Sequence, residues 1–145
     1  MKQGMTFYEM TVTFERVLMD IIGTDARLVF PNQEVDFSQS TDILAIQKVN
    51  PGQSYLAEKG NSEALSQMVG TCLVNLSVKR GQSLREAKNL AWRIIEEFRR
   101  QEIDCLNFGE PWMTDVGDTD DGRYSLLVNI PFSMYFNTDT EGKNG

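Results

Sequence analysis

Apolar residues near the start of the chain recur three or four positions apart, which is the spacing of one face of a helix. They are Phe7, Met10, Phe14, Val17, Leu18 and Ile21. Thr6 and Glu9 have the spacing of a capping box, in which each side chain accepts a hydrogen bond from the backbone of the other residue. Gly23 supplies a stop signal. The pattern predicts a helix from about Thr6 to Ile22.

A second apolar stripe of helical spacing lies in the middle of the chain. Its members are Leu84, Ala87, Leu90, Ala91, Ile94, Ile95 and Phe98. Ser83 and Glu86 before it have the spacing of another capping box. We therefore expect a helix from about Leu84 to Arg100.

Two segments between these helices have strand patterns, and a shorter one precedes them. In Thr71 to Lys79, apolar and polar residues alternate, as in a half-buried strand. Ile43 to Val49 is apolar on both faces, which favours a strand inside a sheet, and Asn50-Pro51-Gly52 is a turn signal. Arg27 to Phe30 can form a short strand within the otherwise polar stretch from Asp25 to Thr41.

The segment from Gln53 to Gly70 is too long and too polar for a hairpin turn. It is predicted to be a loop, and loops of this length are often functional or mobile. Its large apolar residues are Tyr55, Leu56, Leu65 and Met68. We consider them candidates for contact with another subunit.

The last third of the chain reads as three strands followed by a tail. Ile103 to Phe108 and Trp112 to Val116 are short strands, and Asp121-Gly122 is a hairpin signal before a long strand from Arg123 to Phe136. Pro131 cannot donate to a neighbouring strand, so the long strand is expected to be an edge there or to contain a bulge. Asn137 to Gly145 is polar and is expected to be a disordered tail.

The order of these elements predicts the fold class. Helices at the start and middle, separated and followed by strands, fit an α+β fold in which a mainly antiparallel sheet packs against two helices. A chain of 145 residues is long enough for one such core. We therefore expect a single domain over residues 1–136.

Composition narrows the chemistry. The chain has no histidine, which removes the commonest general base and metal ligand. Its net charge of −7 argues against a general affinity for nucleic acid. Cys72 and Cys105 lie in strand-like stretches and are expected to be free and buried, with a disulfide as the alternative. The apolar runs are too short to span a membrane, and the first ten residues lack the pattern of a secretory signal.

A cluster of carboxylates lies around the last hairpin. It consists of Asp115, Asp118, Asp120 and Asp121. Carboxylates in a loop can bind a hard cation, but the spacing does not match a calcium-binding loop. We expect a solvated hairpin tip, and neither a metal site nor a cofactor site is predicted.

Several large apolar residues miss the two helical stripes. Tyr8, Val12 and Met19 fall together on a second ridge of the first helix, and Trp92 lies off the stripe of the second. Exposed apolar residues that cluster mark contact surfaces, and tryptophan is enriched at binding hot spots. These residues are candidates for subunit contacts, and cover by other parts of the same chain is the competing explanation.

The layout resembles the tail terminator proteins of long-tailed bacteriophages, also called tail-to-head joining or minor tail proteins. The resemblance is carried by the first helix, the strand that ends in Asn50-Pro51-Gly52, and the long loop after it. It continues through the strand from Gly70 to Val78, Gly81, the helix from Ala87 to Phe98, and the closing hairpin that ends in Val128 to Tyr135.

That resemblance implies a structural virion protein rather than an enzyme. Such a protein forms a hexameric ring that ends tail-tube polymerisation and offers a docking face to head-completion or neck proteins. DNA passes through the ring without specific binding, and assembly takes place in the cytoplasm of the host bacterium. Two alternatives remain open: another head-tail joining or tail-assembly protein, and a small ligand-binding or hydrolytic domain that uses Asp115, Asp118 or Cys105.

Overall fold

The computed structural model describes residues 6–30, 42–56, 65–103 and 105–137. These form two helices and six strands in the order α1 (Phe7–Ile22), β1 (Arg27–Val29), β2 (Leu44–Leu56), β3 (Leu65–Lys79), α2 (Arg85–Arg100), β4 (Leu106–Phe108), β5 (Trp112–Asp118) and β6 (Arg123–Asn137). The predicted α+β fold with two helices on one sheet is confirmed.

The sheet is built around β3 and β6. The strand order is β1-β2-β3-β6-β4, and β5 pairs with β6 on the same side as β4. β1 and β2 are parallel, whereas every other pairing is antiparallel. The mainly antiparallel sheet is therefore confirmed.

One face of the sheet forms the core together with both helices. Cys72, Val74 and Leu76 of β3 are fully buried and lie opposite Ile130, Val128 and Leu126 of β6. The same core contains the apolar stripes of α1 and α2. Every second residue of these strands thus points its side chain toward the helices, as the period-two pattern predicted.

Four phenylalanines join the helices to the sheet. Phe14 of α1 contacts Phe98 of α2, Phe108 of β4 and Phe132 of β6, with ring centroids 6.0, 5.8 and 5.1 Å apart. Phe98 and Phe108 are also 5.3 Å apart in an edge-on arrangement. Each such pair contributes about 0.5–1.5 kcal/mol beyond the area it buries.

The two predicted helix starts differ in outcome. At α1, the Thr6 side chain accepts from the Glu9 backbone N–H at 3.1 Å and the Glu9 carboxylate accepts from the Thr6 N–H at 2.9 Å, so the capping box is confirmed. At α2 the box is wrong. The N-cap is Leu84, which makes no side-chain cap bond, and Ser83 Oγ instead accepts from Arg85 N at 3.2 Å. Leu84 packs against the core, and the helix begins one residue later than a Ser83 cap requires.

The predicted turn at Asn50-Pro51-Gly52 is wrong, because these residues belong to β2. The predicted loop from Gln53 to Gly70 is wrong at both ends, which belong to β2 and β3. β2 continues through a bulge between Pro51 and Ser54, and β3 already begins at Leu65. Gly52 permits this, because a Cβ there would lie 2.1 Å from the backbone oxygen of Val69. Residues 57–64 lie outside the described part.

β6 lies inside the sheet, but at Pro131 it has a strand partner on one side only, so the expected edge holds locally there and the register with β3 shows no bulge. Pro131 pairs with Thr71 on one side. On its other side β4 ends opposite Phe132 and β5 begins opposite Asn129. The Pro131 oxygen accepts from Gly109 N at 2.8 Å, so the missing N–H also faces this junction between strands.

The end of the domain falls slightly later than predicted. Asn137, which was assigned to the tail, is the last residue of β6, and residues 138–145 lie outside the described part. Among the described residues, no helix is both long and apolar enough to cross a membrane.

Candidate subunit-interface surfaces

The outer ridge of α1 carries exposed apolar side chains. Tyr8 is 78% exposed and Met19 is 57% exposed, while Val12 between them is half-buried. The opposite side of the helix packs Met10 and Phe14 into the core. The described chain thus leaves much of the predicted ridge uncovered.

Trp92 lies on the outer face of α2 and is 61% exposed. The guanidinium of Arg99 lies 5.9 Å from the centre of its ring, a cation–π arrangement. Arg99 also donates to Glu96 and to Glu110 at 2.6 Å, and the bond to Glu110 is the main reason that the pKa of Arg99 is raised. These ion pairs hold Arg99 beside an indole side chain that stays largely exposed.

The candidates from the predicted loop separate into two groups. Met68 is 1% exposed and belongs to the core opposite Met134, so its assignment to a contact surface is wrong. It points toward the helices because β3 continues the same alternation seen from Cys72 onward. Tyr55, Leu56 and Leu65 lie in β2 and β3, but their side chains lie outside the described part.

The sequence prediction missed other exposed apolar residues. Phe7 is 58% exposed, although its spacing matched the core stripe, because it lies in the first turn of α1. Trp112 and Val116 of β5 are each 51% exposed, and Val69 of β3 is 37% exposed. The alternation of Trp112 with Met113, which is half-buried, was a signal in the sequence that could have indicated that Trp112 lies on the other face of its strand.

We call the side of the sheet that faces away from the helices the second sheet face. The register assigns to it the residues of β3 and β6 that alternate with the core, and Trp112 and Thr114 of β5. Its charged side chains are Arg27, Lys48, Lys79 and Arg123. Among the strand residues with described side chains, this face carries no carboxylate. The second sheet face is therefore neutral to basic in an acidic protein.

Arg123 is the buried member of that group. It is fully buried and donates to Ser77 Oγ at 2.6 Å, to the Ser77 carbonyl at 2.9 Å and to the Asp42 carbonyl at 3.0 Å. Burial lowers the pKa of its guanidinium. Its contacts link β6 to the end of β3 and to the start of β2, which indicates a structural role.

A second buried polar group lies on the core side. Gln47 of β2 is fully buried, and neither atom of its amide has a hydrogen-bond partner. Burial raises the pKa of the nearby Cys72 thiol and its contact with the Gln47 amide lowers it, although that contact lacks the geometry of a hydrogen bond. Burial is the dominant effect and raises the pKa of Cys72 to about 12, so this thiol is unreactive in the folded protein.

The carboxylates near the last hairpin bind neighbouring groups of the same chain. Asp115 accepts from the Tyr124 hydroxyl at 2.6 Å, and this bond is the largest cause of the raised pKa of Tyr124. Asp118 pairs with Arg80 at 3.2 Å, and Asp121 accepts from Thr119. Within the ranges that the structure describes, no three acidic or cysteine side chains are grouped to hold a metal ion.

The remaining chemical candidates do not form a catalytic arrangement. Cys105 lies in a turn before β4 with φ of 73°, not in a strand as predicted, and neither cysteine forms a disulfide. An open groove of about 340 Å³ lies between α1 and α2. Its lining residues are Val17, Asp20, Ile21, Arg93, Glu97 and Gln101. Arg93 is already paired with Asp25 at 2.6 Å, and the groove lacks the enclosed apolar walls of a typical ligand pocket.

Comparison with known proteins informs the fold. No protein-family profile matches the chain, and no curated protein matches its sequence. Several solved structures are similar to it. One of them superimposes with a TM-score of 0.57 over 92% of this chain and 98% of its own length, at 17% sequence identity. At that identity the likeness shows that the two chains share a fold across nearly their whole lengths.

Proposed function

We propose that this chain is the subunit of a hexameric ring that caps a bacteriophage tail tube, ends tube polymerisation and provides the docking face for the head or neck. The observation that supports it most is the set of large apolar side chains that stay exposed on the helices of an otherwise well-packed domain, above all Tyr8, Met19 and Trp92. Residues of this kind mark contact surfaces rather than solvent-facing ones. The resemblance of the sequence layout to tail terminator proteins supports this kind of assembly.

The proposed mechanism is steric. A ring of identical subunits needs two different, complementary patches on each copy, so that each contact is heterologous and the rotation closes. One face of the ring binds the last ring of tube protein, and the other face no longer offers the surface that the next tube subunit recognises. The tube therefore stops growing. The net charge of −7 favours a channel along which DNA slides without binding.

Two other functions would use different surfaces. A head-tail joining or tail-assembly protein would bind the head vertex or a chaperone rather than the tube end, so a binding assay with each partner separates it from a terminator. A ligand-binding or hydrolytic domain would need Asp115, Asp118 or Cys105 to face a common pocket. The bonds of Asp115 to Tyr124 and of Asp118 to Arg80 give that arrangement no support.

The direct functional test uses tube protein that polymerises in solution. Tubes that grow to indefinite length alone are expected to stop growing once this chain is added, and electron microscopy should show a ring at one end. Tubes of unchanged length with no added density at their ends would refute the proposal.

A matched pair of substitutions on α2 tests the exposed indole. Trp92→Ala should leave the unfolding free energy within about 0.5 kcal/mol of the wild type, because Trp92 is 61% exposed, and should weaken ring formation. Arg100→Ala, an exposed change two turns further along the same helix, is the control and should affect neither property. A loss of folding in Trp92→Ala would show that the side chain is part of the core.

A further inference from the structure

The second sheet face is only partly covered and has a charge unlike that of the rest of the protein. Val69 and Trp112 are exposed on it, and Leu73 between them is half-buried. Lys48 is exposed at the same face, and no carboxylate lies among its described side chains. The whole chain has 21 acidic and 14 basic residues, so a face whose described strand residues include no acid calls for an acidic or apolar partner surface.

The outer ridge of α1 has the complementary character. Tyr8, Val12, Glu15 and Met19 follow each other at intervals of four, three and four, so they line one side of the helix over about 16 Å at 1.5 Å per residue. Glu15 lies in the middle of this ridge. The helix as a whole carries Glu9, Glu15 and Asp20 against a single basic residue, Arg16.

We propose that the α1 ridge of one copy packs on the second sheet face of the next copy. This inference rests on the proposed ring and names its subunit contact. A helix covering a sheet face is the arrangement that the chain already uses on the other side of its sheet. The two patches differ from each other, so the contact is heterologous and leaves a free ridge and a free face at the ends of any open chain of copies. Closure of the ring then occupies both.

Strand edges are less suited to this contact than the two faces. β2 carries Pro51 and a bulge beyond the part that β1 covers, and β5 has a bulge between Asp115 and Gly117. Prolines, bulges and charges on edge strands prevent them from pairing with another chain. Association through side chains of the ridge and the second sheet face avoids both obstacles.

Charge exchange across the contact gives a direct test. Lys48→Glu places a carboxylate on the basic face, and Glu15→Lys places a cation on the acidic ridge. We expect each single change to weaken subunit association roughly tenfold or more per contact, because it replaces an attraction with a repulsion at every interface of the ring. The double variant should recover most of the loss. Arg100→Glu, a charge reversal at the exposed end of α2 and away from both Trp92 and the proposed contact, should associate like the wild type.

Light scattering across a dilution series measures association, and thermal unfolding at fixed concentration checks that every variant is folded. Trp112→Ala, which changes no charge, should also shift the midpoint of association to a higher protein concentration. Rings that form normally in both single variants would overturn this contact while leaving the proposed function intact. Intact rings that no longer cap tubes would assign the second sheet face to the tube protein instead. A wild-type chain that never associates with itself would overturn the contact as well, and tube capping would then test the function separately.

Discussion

Replacing Gln47 with methionine should make the protein more stable. The side chain lies on the helix-facing side of β2, opposite Val74, and is fully buried. Both amide atoms lack a hydrogen-bond partner. Methionine has a similar length and shape, is flexible enough to fit the same space, and removes both unsatisfied atoms.

The magnitude follows from two opposing effects. Each buried polar group without a partner costs about 1–3 kcal/mol of desolvation free energy. A swap that nearly conserves volume costs less than about 1.5 kcal/mol in packing. We therefore expect Gln47→Met to raise the unfolding free energy by about 1–2 kcal/mol, which corresponds to an increase of roughly 3–8 °C in Tm for a domain of this size.

Urea unfolding followed by tryptophan fluorescence and far-UV circular dichroism measures the change. Protein concentration must be the same in all samples, because self-association would add to the apparent stability. Gln82→Met is the matched control, since Gln82 is exposed in the turn before α2, and it should change the free energy by less than about 0.5 kcal/mol. A Gln47→Met variant that is less stable than the wild type by 1 kcal/mol or more would refute the reasoning. It would show that the amide is hydrogen-bonded in solution, for example to a buried water.

Three further changes test other parts of the fold. Gly52→Ala should cost about 2 kcal/mol or more in the same urea titration, because its Cβ would lie 2.1 Å from the Val69 oxygen; unchanged stability would mean that the bulge is not formed in solution. Arg123→Met should cost about 2–4 kcal/mol, since it leaves the acceptors of Ser77 without their donor, and a neutral effect would contradict a structural role. The raised pKa of Cys72 predicts stability that is fully present below pH 9 and falls as the pH rises toward 12, because the unfolded thiol releases its proton first. Cys72→Ala should lack this part of the decline, and identical alkaline slopes would contradict the buried thiol.

Much of the fold was predictable because local patterns and tertiary packing agree in its best-defined elements. The capping box of α1 marks where that helix starts. The stripe of α1 and the alternation from Cys72 to Val78 each specify one buried side, and the structure buries those sides together. Register could not be read from the sequence. Pro131 predicted an edge, but the sequence could not show that this edge is a gap between the end of β4 and the start of β5 beside an interior strand.

The surfaces were predictable in part. A helical wheel identified Tyr8, Met19 and Trp92 as lying away from the core, and the structure leaves them exposed. The loop prediction failed for Met68, because polar neighbours and Gly70 suggested a loop where β3 continues its alternation. The charge of the second sheet face was also hidden in the sequence, since it depends on which strands are neighbours and which side each residue faces.

The mass of the purified protein, measured by light scattering across a wide range of concentrations, tests the central claim most directly. The proposed ring predicts a species of six times the chain mass that appears as an annulus in electron micrographs. A stable dimer, whose twofold contact closes on itself, or a monomer at every concentration would contradict a ring that this chain forms by itself.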